Sequence, residues 1–81
     1  MATYLARITV RDDLGDLEED QVEGMADALG AVGEPWVEAR AVVFEVPGEA
    51  PDGGVAYAAA AQHAAEVLEG YAYEVHVTET Y

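Results

Sequence analysis

The side chains able to do chemistry in this chain are almost all carboxylates. Seventeen Asp and Glu stand against three arginines (Arg7, Arg11 and Arg40) and two histidines (His63 and His76), for a formal charge of −14. Ser, Cys, Lys and Asn are absent, which removes most covalent nucleophiles and the common side-chain donors of an oxyanion hole. A nucleophile–His–acid triad cannot be assembled in its usual forms. Carboxylate pairs are plentiful, but a pair works as acid and base only where burial or a neighbour splits its pKa values. No pattern here marks such a buried pair, so the expectation is a protein that is not an enzyme.

Metal chemistry fares no better. Residues 10–24, VRDDLGDLEEDQVEG, hold seven carboxylates in fifteen positions. A calcium loop beginning at Asp12 needs oxygen ligands at its third and fifth positions, Gly at the sixth and Glu at the twelfth. Its third residue is Leu14 and its sixth is Leu17, so the loop fails despite Asp16 and Glu23. His63 with Glu66, and Glu74 with His76, each offer two ligands, whereas a structural zinc site takes four. No metal and no cofactor are expected.

What remains is an acidic face. Asp16, Glu19, Asp20, Glu23 and Asp27 fall together on a helix, opposite its apolar stripe. Like charges at i, i+4 cost a few tenths of a kcal/mol each. Acids in the first turn recover some of this from the helix dipole, but Glu23 and Asp27 lie too far along to do so. The row is about 17 Å long at the rise of an α-helix. Direct nucleic-acid binding is not expected, because almost nothing is present to neutralise phosphates. A basic protein is the expected partner, and the field of the chain would speed its approach. In size and charge the chain resembles small acidic inhibitors, including phage-encoded antagonists of host nucleases. That likeness implies a nucleic-acid mimic occupying a basic DNA- or RNA-binding surface. The competing expectation is a solvated face, produced by salt adaptation or by a GC-rich genome poor in Lys codons.

These residues must be positioned by a small set of elements. Thr3 to Val10 alternates, with Tyr4, Ala6, Ile8 and Val10 on one side and Leu5, Arg7 and Thr9 on the other, as in a half-buried strand. RDDLG breaks the alternation, and Asp16 with Glu19 has the spacing of a capping box. Leu17, Val22, Met25, Leu29 and Val32 then follow helical spacing, with Ala28 on the same side, until Gly30 or Gly33 ends the helix. The segment from Glu34-Pro35 to Gly48 is extended. It reads either as one bent strand, or as a short strand around Trp36 followed by a bend and a second strand from about Ala39. GEAPDGG is a loop, and VAYAAAAQHAAEVLEG is helical by propensity, with Tyr57, Ala60, Ala61, Ala64, Val67, Leu68 and Tyr71 along one face. A last strand alternates Tyr73, Val75 and Val77 against Glu74, His76 and Thr78.

This order predicts an α+β sandwich with two helices packed on one face of a three- or four-stranded antiparallel sheet. With a hairpin in the middle segment the order is βαββαβ, and the chain then resembles the ferredoxin-like superfold across nearly its whole length. That superfold hosts many unrelated functions. Asp12, Gly15 and Leu17 also resemble the Asp-x-x-Gly-x-Leu turn of ACT regulatory domains. The resemblance implies an amino-acid site at a dimer interface, but Glu18 stands where an apolar residue is usual. The sheet face away from the helices is expected to carry Leu5, Arg7, Val43, His76 and Thr78, with Trp36 at its edge, and these residues could seed a homodimer. An assembly or ligand-sensing module using that face is the alternative function.

Length and composition fit one domain spanning residues 1–81. With no cysteine and 52% hydrophobic residues, sixteen of them Ala, the core must come from apolar burial that is thin per residue. No apolar run reaches the roughly 18 residues of a membrane span, and MATYLARITV lacks the layout of a signal peptide. A cytoplasmic protein without membrane contact is the expectation.

Overall fold

The computed structural model describes residues 2–12, 17–38 and 40–80. Its elements run β1 (Ala2–Arg11), α1 (Glu19–Leu29), β2 (Trp36–Glu38), β3 (Ala41–Ala50), α2 (Gly53–Val67) and β4 (Tyr73–Thr80). The four strands form one sheet in the order β2-β3-β1-β4, and every neighbouring pair is antiparallel. This is the ferredoxin-like arrangement, with the two longest strands, β1 and β3, at its centre. Of the two readings of the middle segment, the one with two strands holds. Val37 pairs with Val42 and Glu38 with Ala41, and the Asp12 N–H donates to the carbonyl of Arg40 at 2.8 Å just before β3 begins.

Alternation decides which residues the sheet buries. Ile8 lies opposite Phe44 and Val75, and Val10 opposite Val42 and Tyr73. These side chains share one face with Tyr4 and Ala6. Phe44, Ile8, Val10 and Val42 are almost completely inaccessible and join Met25, Leu29, Ala64 and Leu68 in a single core. Both helices therefore cover the same side of the sheet.

The helices are stopped by side chains and glycines near the expected positions. α1 begins at Glu19 with Glu18 as its cap, and Gln21 Oε1 accepts from the Glu18 N–H at 2.9 Å. The box formed is Glu18–Gln21, and the expected cap Asp16 lies outside the described residues. Gly30 closes α1 with φ of 73°, in the left-handed region that favours Gly. Its N–H and that of Ala31 donate back to Asp27 and Ala26, which satisfies two carbonyls at the helix end. Val32 therefore leaves the helical stripe. It is 53% exposed, and its N–H donates to the Glu45 carbonyl at 2.8 Å.

α2 is capped by Asp52, whose Oδ1 accepts from the Val55 N–H at 2.9 Å. Ala64 and Leu68 carry its contact with the core, with Ala60, Ala61 and Val67 half-buried. Tyr57 and Tyr71, expected on the packed face, are exposed instead. None of the described helices is long and apolar enough to cross a membrane.

Candidate functional site

α1 packs on β3 and on α2 but does not reach β2. The corner between α1 and the edge strand is consequently open, and it forms a cleft of about 680 Å³. Its floor is apolar, built from Leu17, Val22, Ala26, Val37 and Val42. Around the floor stand five carboxylates: Asp12, Glu19, Glu23, Asp27 and Glu34. No Arg, Lys or His lines it among the described residues.

The geometry follows from two periodicities. Val37 pairs with Val42 across β2 and β3, and Val42 is 1% exposed in the core, so Val37 points to the same, helix-bearing side. It is nevertheless 73% exposed, because no helix lies above it. On α1, positions 19, 23 and 27 advance by i, i+4 and line up along the bank of the cleft beside Val22 and Ala26. The expected acidic face is thereby refined. Glu19, Glu23 and Asp27 flank the apolar stripe rather than oppose it, while Asp20 is exposed but does not line the cleft. Asp12 and Glu34, from the end of β1 and the turn before β2, complete the rim. Sequence periodicity within α1 gives no sign of them, because they arrive from other elements.

The opposite face of the sheet carries the other expected residues. Register places Arg7 between Glu45 and His76, Thr9 between Val43 and Glu74, and Leu5 between Pro47 and Thr78. Trp36 lies opposite Val43 on the edge strand. The Arg7 guanidinium reaches over β3 to stack on the Trp36 ring, 5.3 Å from its centroid, and lies 4.0 Å from Glu45. Arg11 is 3.9 Å from Glu74. Val43, between the strands that bear Arg7 and Trp36, is only 3% exposed although no helix covers it. Leu5 is half-buried and His76 exposed. The face expected to be open is thus partly roofed by its own side chains.

The two histidine pairs are placed apart. His63 Nε2 donates to the Ala28 carbonyl at 3.1 Å, tying α2 to the last turn of α1. His76 lies on β4, on the far side of the sheet. A smaller hollow of about 180 Å³ lies between α2 and the sheet, with Tyr4, His63 and Val77 in its wall. Burial raises the Tyr4 hydroxyl above its usual pKa, and the negative charges of Glu79 and Asp52 add to the effect.

The chain matches no family model, no curated protein and no solved structure.

Proposed function

We propose that the protein is a non-catalytic acidic interaction module that docks a basic partner protein through the α1–β2 cleft. The observation that supports this reading is the border of the cleft, where Glu19, Glu23, Asp27 and Glu34 flank one apolar floor and no Arg, Lys or His is among the described lining residues. Such a surface is poorly matched to itself and well matched to Arg- or Lys-bearing protein. Where the partner's basic surface also binds DNA or RNA, docking competes with the nucleic acid, as a mimic would. An ACT-like amino-acid site is the weaker reading. Its Gly15 lies outside the described residues, and the ligand's carboxylate would meet Glu19 and Glu23.

The test is affinity capture from the native host at about 50 and 500 mM salt, with the wild type and the triple variant E19Q/E23Q/D27N. A basic protein retained by the wild type at low salt should be released at high salt. It should also be missing from the triple variant and displaced by an oligonucleotide if mimicry operates. Retention of the same proteins by wild type and triple variant would sink the reading.

A second reading is favoured by the sheet face, where Trp36 is 41% exposed on the same face as Arg7, Leu5 and His76. It holds that two copies associate through these residues. Val43 drops out of that interface, since its own chain already covers it. Sedimentation should then show a dimer that persists at high salt and is lost in Trp36→Ala.

A further inference from the structure

We propose that the occupant of the α1–β2 cleft is an amphipathic cationic segment that inserts an apolar side chain against Val37 and so completes the helix layer of the fold. The inference rests on the reading of the cleft as a docking site and adds the chemistry of what enters it.

Charge alone does not account for the cleft. An acidic patch made only for basic residues needs no apolar floor, and an uncovered strand face in water ordinarily carries Thr or Glu. Here the strand face carries Val37, in register with the fully buried Val42. The floor continues across to Val22 and Ala26 on α1, both half-buried and both packed against the core. Leu17, just before α1, does the same. The cleft is therefore an extension of the hydrophobic core that lacks its lid, not a polar trough.

The rim then sets the chemistry of the lid. Glu19, Glu23 and Asp27 line one bank, with Glu34 and Asp12 from the loop side. An entering segment must place cations on both flanks of its apolar anchor. A wholly apolar segment would strand Glu19, Glu23, Asp27 and Glu34 beside a dry surface, and a wholly cationic one would leave Val37 wet. A segment with Leu-type residues on one face and Arg on its sides meets both demands, in the helix-in-groove manner.

Three probes separate the possibilities. The first is a synthetic peptide of about a dozen residues with Leu at helical spacing and Arg between. The second is the same peptide with every Leu changed to Ser, and the third is spermine, which carries charge without a bulky anchor. Calorimetric titration is run at about 50 and 300 mM salt.

The Leu peptide should bind at least about tenfold more tightly than the Ser peptide or spermine, the effect expected from burying one aliphatic side chain. Val37→Ser should erase that tenfold while leaving the salt dependence of the Leu peptide intact. E19Q/E23Q/D27N should flatten the salt dependence while leaving the preference for Leu. Equal, salt-sensitive binding of all three probes would overturn the insertion and leave charge docking standing. If none of the three binds at either salt, the docking reading falls, and the insertion with it.

Discussion

The cleft beside α1 and the uncovered side of the sheet both hold charge next to apolar surface, yet they treat it in opposite ways. On the sheet, Arg7 finds Glu45 and the face of Trp36, and the roof they make leaves Val43 3% exposed. The exposed cation of that face is answered within the chain. In the cleft, Glu19, Glu23, Asp27 and Glu34 lie together with no Arg, Lys or His among the described lining residues, and Val37 is 73% exposed above a closed core. Helix coverage does not explain the difference, since neither Val43 nor Val37 has a helix over it. What separates them is whether the chain supplies its own complementary groups. A region that does needs nothing further for its charge, and one that does not is where the proposed partner would dock.

The sharpest way to break this comparison is to put the same charge at both valines. Val43→Asp buries a carboxylate under Arg7 and Trp36 and should cost at least about 3 kcal/mol. Val37→Asp adds a charge to an exposed site and should change stability by no more than about 0.5 kcal/mol. Urea unfolding followed by circular dichroism measures both. Equal losses would mean that the two faces are alike and that the contrast is false.

Much of this was readable in the residues themselves, and the rest was not for definite reasons. The strand pattern of β1 and β4 depends only on alternation, so the two faces of the sheet are assignable from the sequence. The start of α1 is ambiguous in the sequence because Asp16–Glu19 and Glu18–Gln21 have the same spacing, and local sequence does not rank them. The split between β2 and β3 stayed open because no Asn-Gly or Asp-Gly turn marks it. The cleft was invisible for a deeper reason. The exposure of Val37 depends on how far α1 extends across the sheet, which is a property of packing and leaves no trace in periodicity. The acids of α1 were legible as a row, but Asp12 and Glu34 join them only in three dimensions.

An intermediate effect is expected at Trp36, where the comparison can be sharpened. Trp36→Ala removes the ring under the Arg7 guanidinium and part of the cover of Val43. Cation–π loss accounts for about 0.5–1 kcal/mol, and newly wetted apolar surface brings the total to about 1–2 kcal/mol. Trp36→Phe should restore most of it, because a ring and its π face remain. Thermal unfolding of the three proteins decides the matter. A Phe variant no better than Ala would show that packing around Val43 does not depend on the stacked pair.

The smallest effect carries the opposite sign and bears most directly on the cleft. Glu23 is the middle of three carboxylates spaced by four residues, so Glu23→Gln relieves repulsion toward both Glu19 and Asp27. It gives up little to the helix dipole, because it lies beyond the first turn. Two like-charge pairs at a few tenths each give a gain of about 0.5 kcal/mol at low salt, which should vanish near 1 M salt, where the screening length is about 3 Å. Arg7→Gln on the sheet face should instead destabilise, since it removes the stack on Trp36 and the ion pair with Glu45. Denaturant titrations of both variants at low and high salt test the pair of signs. Stabilisation by Glu23→Gln in the free protein, together with weaker binding of a cationic peptide, would mean that the chain keeps the charge for its partner at the expense of its own stability. A loss of stability at Glu23→Gln would place an intramolecular cation at the rim and remove the reason for the cleft to need a partner.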